Sequence, residues 1–144
     1  MAGTLTVANS SMVLTVAGLF DAPVILQDYS ADEVFSTEPS THIETMMGLR
    51  GNLSGGWVPA ERVVNITIMG DGATNFVFEE WDAAQRQLRD ALVCGLIVTI
   101  FSISRVYTCT KGFLRTYNPI PDGRRILQQR RYTMVFESID GAPT

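Results

Sequence analysis

The pattern of apolar and polar residues changes once along the chain, from the alternation of strands to the spacing of a helix. In residues 62–69, Val64, Ile66 and Ile68 form an apolar face, which predicts a strand with one face on the core and one in water. After a turn at 70–73, apolar residues recur every three or four positions, which predicts an amphipathic helix of about 18 residues. The stripe of this helix comprises Val77, Trp81, Ala84, Leu88 and Leu92.

Both ends of this helix carry suitable residues. Thr74 or Asn75 can cap its first turn, and Gly95 can end it. Glu79 and Glu80 lie in the first turns, where the helix dipole favours negative charge. We therefore expect the helix to extend to about residue 92.

The segments on either side of the helix are rich in β-branched and aromatic residues. Tyr132, Met134 and Phe136 share one face of the last of them, and a Pro- and Gly-containing turn lies at 118–123. Strands are predicted at 12–20, 23–27, 41–49, 62–69, 96–107, 107–117 and 124–139, with an exposed strand or hairpin arm at 29–39.

Residues 48–59 are rich in glycine and contain Trp57. This composition predicts a long loop, and such loops in compact domains are usually functional or become ordered on assembly. Trp57 is a candidate contact anchor, because exposed tryptophans often carry binding energy. The alternative is a lid over the core.

These elements predict a mainly β (α+β) fold. The order is a β-rich half, one amphipathic helix and three further strands, which fits an antiparallel β-sandwich or small barrel with one helix packed on it. The small, polar residues 1–10 predict a flexible N-terminal arm, and residues 11–144 a single domain.

Charge is spread unevenly along the 144 residues. With 11 basic and 15 acidic residues the formal net charge is −4, which disfavours a free-standing nucleic-acid binder. Residues 1–72 hold eight acids and two bases, whereas residues 73–144 hold seven acids and nine bases. A chain polarised in this way is suited to meet copies of itself.

The inventory of reactive residues favours neither a metal site nor an enzyme. His42 is the one histidine, and the two cysteines, Cys94 and Cys109, form no close ligand pair, so we expect no metal and no cofactor. Without a G-x-S-x-G elbow, a hydrolase built on His42 is disfavoured. The cysteines are expected to be buried thiols in a reducing compartment, with one disulfide as the alternative.

No membrane segment is expected either. The longest apolar run, residues 91–101, has about eleven residues, whereas a membrane-spanning helix needs about 20. The N-terminus also lacks the basic and apolar regions of a signal peptide.

Several segments stand in a characteristic order. A Val-Leu-Thr-Val strand at 13–16 is followed by Asp-Tyr-Ser-Ala-Asp-Glu-Val-Phe at 28–35, the Gly-rich stretch, and Val-Val-Asn-Ile-Thr-Ile at 63–68. The single helix at 78–92 and paired strands to 138 complete the order. Over residues 11–140 this order resembles the tail-tube protein family of contractile-tailed bacteriophages.

The resemblance implies a structural virion protein without catalytic activity. In that family six copies join edge to edge into a ring with a continuous inner β-barrel, and the rings stack into a tube through which double-stranded DNA passes without specific binding. Implied partners are further copies, the tail sheath, the baseplate and the tape-measure protein, with no membrane contact. The implied location is the virion tail, assembled in the host cytoplasm.

Two other functions stay open at this point. The Gly-rich stretch and the C-terminal arginines could mark a tube-initiator, baseplate-hub or terminator ring of the same virion. A small ligand-binding barrel is less favoured, because it would need a pocket with converging polar groups and perturbed pKa values.

Two sets of charged residues are candidate contacts. The acids are expected on the lumen wall or between rings, or else on an ordinary solvated strand face; they are Asp28, Asp32, Glu33, Glu38, Glu44 and Glu61. The arginines are expected on the positive face between subunits, or else on a solvated hairpin; they are Arg124, Arg125, Arg130 and Arg131.

Overall fold

A computed structural model describes residues 10–20, 22–27 and 34–144. Within these ranges the chain forms one α-helix, α1 (Asn75–Leu88), and a short 3₁₀ turn at Phe101–Ile103. The strands are β1 (Ser10–Val16), β2 (Val24–Ile25), β3 (Phe35–Thr37), β4 (Ile43–Met47), β5 (Leu53–Trp57), β6 (Arg62–Ile68), β7 (Cys94–Ile100), β8 (Arg105–Tyr117) and β9 (Arg130–Pro143).

Seven of these strands form one antiparallel sheet in the order β2-β1-β7-β8-β9-β6-β3. The sheet curls into a half-barrel, and β4 and β5 form a separate two-stranded hairpin. The predicted fold class, a mainly β small antiparallel barrel with one helix, is confirmed.

The core lies between the sheet and one face of α1. Phe78 and Trp81 are the fully buried residues of the helix, and the ring of Phe78 stacks on Tyr132 of β9 with 4.0 Å between centroids. Tyr132, Met134 and Phe136 all face this core, as their alternation predicts. Other core residues include Met12, Leu14, Val16, Ile66, Ile68, Leu96 and Val98.

Strand β6 is buried on both faces. Val64, Ile66 and Ile68 lie in the core as predicted, but the prediction that the opposite face is wet is wrong, because Asn65 and Thr67 are only 3% and 2% exposed. The position of β6 between β3 and β9 allows this burial, since Thr133 Oγ1 of β9 donates a 2.7 Å hydrogen bond to the Asn65 side-chain oxygen.

Helix α1 is shorter than its sequence pattern predicts. It ends at Leu88, and Arg89 takes a left-handed conformation (φ 54°) with its N–H bonded to the Gln85 carbonyl. The Gln85 side chain then accepts the Leu92 N–H, so the chain leaves the helical path well before Gly95. Leu88 is therefore exposed.

The predicted loop at 48–59 is wrong, because residues 53–57 form β5 and pair with β4. The turn between the strands is closed by the Gly48 N–H bonded to the Asn52 carbonyl at 2.7 Å, and Gly51 supplies the positive φ of 87° that this turn requires. Cross-strand hydrogen bonding thus orders a segment whose glycines have little strand propensity of their own.

Residues 1–9 of the expected N-terminal arm lie outside the described residues. Ser10 already belongs to β1, where it lies opposite Ile100. Strand β9 runs to Pro143, four residues beyond its predicted end. Cys94 and Cys109 are buried free thiols, so the disulfide alternative is wrong.

Candidate functional site: two protruding surfaces and two sheet edges

The β4–β5 hairpin presents an apolar face to solvent. Cross-strand pairing sets Ile43 opposite Trp57 and Met47 opposite Leu53, and alternation along each strand puts these four side chains on one face. They are between 53% and 70% exposed. A surface of this kind, which we call the hairpin face, is costly in an isolated soluble protein and typically marks a contact site.

The base of the hairpin is anchored to the sheet. The Val58 N–H bonds to the His42 carbonyl at 2.7 Å, and the Ser40 hydroxyl donates to the Glu61 carbonyl. Arg115 of β8 forms a 2.9 Å ion pair with the Glu61 carboxylate. The two hydrogen bonds close the base of the hairpin on itself, and the ion pair, between side chains that are 47% and 61% exposed, joins this base to β8.

Trp57 lies at this base with 70% of its surface exposed, so the alternative of a lid over the core is wrong. Together with Phe113 and Val135 it lines a groove on the outer side of β8 and β9. An exposed tryptophan next to apolar strand residues keeps the geometry of a contact anchor.

The burial of Arg130 shows that the four candidate arginines do not form one exposed surface. Arg130 is 2% exposed, and its guanidinium donates to the Glu79 carboxylate at 2.8 Å and to the carbonyls of Asn118 and Pro119. Because its donors are used inside the chain, Arg130 is not available to a neighbouring subunit. Its alternation with Tyr132 and Met134, which point inward, was the available indication that it is buried.

Arg124 and Arg125 lie at the tip of the segment between β8 and β9, whereas Arg131 is exposed on β9 opposite Thr67. A bridge between Gly123 and Leu127 closes the tip, and the Gln128 N–H bonds to the Asp122 carbonyl at 3.0 Å. We call residues 118–129 the basic loop. It also exposes three large apolar side chains, Ile120, Ile126 and Leu127.

The described acidic candidates, Glu38, Glu44 and Glu61, lie at three separate places. Asp28, Asp32 and Glu33 lie outside the described residues. Glu44 is exposed on the hairpin, on the side opposite Met47 and Leu53, and Glu61 is paired with Arg115 at the hairpin base. Glu38 lies at an apolar cleft beside β3.

Short strands lie at the two ends of the sheet, and no described strand pairs with their outer edges. On β3, the Glu38 N–H bonds to the Val63 carbonyl and the Val34 carbonyl accepts the Thr67 N–H, so even-numbered residues face β6. The backbone groups of Phe35 and Thr37 therefore point away from the sheet. At the other end, β2 pairs with β1 over only two residues.

The cleft beside β3 has a volume of about 470 Å³ and is lined mainly by apolar residues, among them Phe35, Val98 and Tyr107. Cys109 also lines it, and burial raises the pKa of this thiol to about 11. At neutral pH the thiol is therefore protonated and a poor nucleophile. In the described part of the chain, no three His, Cys, Asp or Glu side chains cluster as metal ligands would.

The hairpin face was only partly visible in the sequence. Leu53 and Trp57 lie four positions apart, which fits one face of a strand, but Gly55 and Gly56 between them obscure the alternation. Among the described helices, none has the length and apolar character needed to cross a bilayer.

Similar folds occur in contractile injection systems. A chain in the cryo-EM structure of the anti-feeding prophage baseplate, six-fold symmetrised, superimposes with a TM-score of 0.62 at 9% identity, covering 99% of this chain and 98% of that one. A chain of the PVC sheath/tube terminator in the extended state gives 0.62 at 8% identity, with 99% of each chain covered.

A third match comes from the sheath-tube complex of an extracellular contractile injection system, with a TM-score of 0.60, 9% identity, and 92% and 88% of the two chains covered. At these identities the matches establish a shared fold. A comparison with curated proteins found no significant sequence match.

A family model described as tail fiber protein gp32 matches residues 3–140. This match and the shared fold confirm the resemblance to a contractile-tail-related phage family. The chain belongs to the tail fiber protein gp32 family.

Proposed function

We propose that this protein is a structural, non-enzymatic component of a contractile phage tail. Its single tail-tube-like domain, residues 11–144, forms rings of six copies that stack into the inner tube through which DNA is ejected. The rings assemble in the host cytoplasm and meet the tail sheath, the baseplate and the tape-measure protein in the virion.

The open sheet is the observation that carries this proposal. The half-barrel ends at β3 on one side and β2 on the other, and the described residues do not pair these strands with each other. Phe35 and Thr37 direct backbone groups outward from β3, where no other described strand pairs with them. Pairing of this edge with the β2 side of the next copy would continue the sheet around a ring and leave no edge free.

The chains of similar fold support a ring. They occur in a six-fold symmetrised baseplate, in a sheath-tube complex and in a tube terminator, and two of them match 99% of this chain. Head-to-tail contacts between two different edges close into a ring when the rotation between copies allows it.

The face of the sheet turned away from the core suits a DNA conduit. On the central strands, hydroxyl side chains alternate with core residues: Thr15, Thr99, Thr108, Thr110 and Thr133. Neutral hydroxyls form no ion pairs with phosphate, so this part of the face would let DNA pass without being held, whereas Arg131 on the same face of β9 is a charged exception. In this arrangement Glu44 and Glu61 belong to contacts between copies, because both lie on or beside the hairpin.

The matches to a baseplate and to a terminator favour a second candidate, a ring at one end of the tube. The number of copies separates the two functions. A tube subunit is present in many rings per virion, whereas an end ring contributes about six copies. Quantitative mass spectrometry of purified virions, normalised to the sheath protein, measures this ratio.

A matched pair of variants tests the ring. Thr37→Pro removes a backbone N–H that points outward from β3, whereas Thr37→Ala keeps it and loses a similar amount of side chain. By negative-stain microscopy and mass photometry, we expect the wild type and Thr37→Ala to form six-fold rings of six 15.8 kDa chains. Thr37→Pro is expected to stay monomeric.

Circular dichroism and urea unfolding show whether Thr37→Pro still folds. A folded monomer supports edge pairing, whereas rings formed by Thr37→Pro as readily as by Thr37→Ala contradict it. A wild-type protein that stays monomeric at high concentration, or a three-fold fibre-like assembly, would overturn the ring itself.

A further inference from the structure

The apolar cleft beside β3 opens at the end of the half-barrel where β1 begins. Its walls come from β3, β6, β7, β8 and β9, and its volume is about 470 Å³. Ile100 at the end of β7 lines this cleft and pairs with Ser10, the first residue that the structure describes. The nine residues that precede Ser10 in the sequence are therefore joined to the sheet at the rim of the cleft.

The deepest part of the cleft is apolar. Val64, Val98 and Cys109 line it and are only 2%, 4% and 3% exposed. Phe35 and Ile139 complete the walls and are partly buried against the same core. Because such walls offer water few hydrogen bonds, filling the cleft with apolar side chains is favourable.

The sequence before Ser10 has a pattern that suits this cleft. Thr4-Leu5-Thr6-Val7 alternates polar and apolar residues, which is typical of an extended segment with Leu5 and Val7 on one face. Residues 1–9 also contain no acidic or basic side chain. The segment that leads into β3, residues 28–33, holds three carboxylates instead, and charged groups are costly to bury in an apolar cleft.

The segment before Ser10 is long enough to reach the far wall. Ile100 pairs with both Ser10 and Arg105, so two strand spacings and four residue steps separate Ser10 from Cys109. At about 4.8 Å per strand and about 3.3 Å per residue, this distance is roughly 16 Å. The five residue steps from Ser10 back to Leu5 span up to about 17 Å, and the three steps to Val7 span about 10 Å.

We propose that the side chains of Leu5 and Val7 bind in this cleft of their own chain. A segment that is covalently joined to the rim has a high effective concentration at the cleft, which favours docking within one copy. Once bound, it contacts β3 and β6 on one side of the core and β7 and β8 on the other, and so holds the curvature of the half-barrel. The inference goes beyond the proposed ring and does not depend on it, because it concerns contacts within a single chain.

Paired charge substitutions test which face of the segment binds. Leu5→Glu/Val7→Glu would place two carboxylates in the cleft, whereas Thr4→Glu/Thr6→Glu would place the same charges on the opposite face of the segment. We expect the first variant to lower the thermal midpoint by about 5 °C or more, and the second to change it by less than about 2 °C. Leu5→Ala/Val7→Ala removes the apolar groups without adding charge, and we expect an intermediate shift.

The reactivity of Cys109 provides a local measurement. Cys109 lines the cleft and Cys94 does not, although both are 3% exposed. With iodoacetamide at pH 9 and peptide mass spectrometry, we expect Cys109 to be labelled at least ten-fold faster in Leu5→Glu/Val7→Glu than in the wild type, and Cys94 at an unchanged rate. The alanine variant keeps this test valid if the glutamates prevent folding, and equal acceleration of both cysteines in that variant would contradict the docking.

Dilution distinguishes docking within one chain from docking on a second copy. A segment of the same chain protects Cys109 equally at every protein concentration. Protection that is lost on hundred-fold dilution would show that a second copy fills the cleft, and would overturn the inference. Wild-type stability and wild-type Cys109 reactivity in Leu5→Glu/Val7→Glu would also overturn it and would indicate the free arm that residues 1–10 predict. Neither result bears on edge pairing, which Thr37→Pro tests separately.

Discussion

The guanidinium of Arg130 donates a 2.8 Å hydrogen bond to the carboxylate of Glu79 and thereby joins the start of β9 to α1. Arg130 is fully buried, whereas the Glu79 side chain is 45% exposed. The same guanidinium binds two carbonyls of the basic loop. The buried guanidinium of Arg130 thus joins α1, the start of β9 and the basic loop.

The first prediction concerns this ion pair. Glu79→Gln leaves the buried guanidinium without its counterion, and we expect a loss of about 2 kcal/mol in the free energy of unfolding, less than the ~3–5 kcal/mol of a fully buried pair. Glu80→Gln, the neighbouring exposed position, is the control and is expected to change stability by less than about 0.5 kcal/mol. Urea unfolding measures both, and equal stability of the two variants would contradict the role of the pair.

The second prediction concerns Asn75, which is buried at the start of α1. Its amide donates to the carbonyls of Met69 and Gly72, and its oxygen accepts a 2.7 Å hydrogen bond from the Tyr132 hydroxyl. Asn75→Ala leaves these groups without partners, so we expect a loss of about 2 kcal/mol. A double-mutant cycle with Tyr132→Phe should give a coupling of about 1 kcal/mol. Strict additivity would show that the Asn75–Tyr132 hydrogen bond contributes nothing.

The third prediction concerns alkaline pH. Burial raises the pKa of Cys94 from 9.0 to about 12, and burial also raises that of Tyr132 from 10.0 to about 12. The unfolded chain therefore releases protons at a pH where the folded chain keeps them. The stability that these two groups contribute is fully present below about pH 9. It falls as the pH rises to 12, by up to about 1.4 kcal/mol per pH unit for each group.

Urea midpoints measured at pH 8, 9.5 and 11 test this dependence. Cys94→Ala costs stability at every pH, but we expect it to reduce the slope between pH 9 and 11. A slope identical to that of the wild type would show that this thiol titrates normally in the folded chain.

The fourth prediction concerns the support of the basic loop. A Cβ at Gly70 would lie 2.5 Å from the Gln128 carbonyl oxygen, so Gly70→Ala forces one of two backbones to move. We expect a loss of about 1–3 kcal/mol. Gly56→Ala, where an added Cβ meets nothing within 4 Å, is the control and is expected to be nearly neutral. Similar thermal midpoints for the two variants would contradict the close contact.

Periodicity was sufficient to predict the strands of the core and the existence of the helix. The apolar faces of 64–68 and 132–136 lie where alternation puts them, because each is buried against the same core. The end of α1 could not be predicted in this way. It depends on Arg89 adopting a positive φ and on a Gln85 side-chain hydrogen bond, neither of which leaves a compositional pattern.

The candidate surfaces were harder to predict for a related reason. The pairing of β5 with β4 is a cross-strand property, which the glycines of β5 conceal when the segment is considered alone. Burial of Arg130 depends on partners 51 and 12 residues away, so charge counting assigned it to the surface. The exposed positions Arg124, Arg125 and Trp57 were found because polar or aromatic residues in Gly- and Pro-containing segments are usually solvent-exposed.

The position of β9 in the sheet also has a consequence for biosynthesis. It is the last strand in sequence, yet it lies in the interior and joins β2-β1-β7-β8 to β6-β3. A nascent chain therefore holds two incomplete half-sheets until residues 130–143 have left the ribosome, and its fold is completed only after translation reaches them. A ribosome-stalled chain ending before residue 130 is consequently expected to be sensitive to protease, whereas a chain whose residues 130–143 have left the ribosome is expected to be resistant.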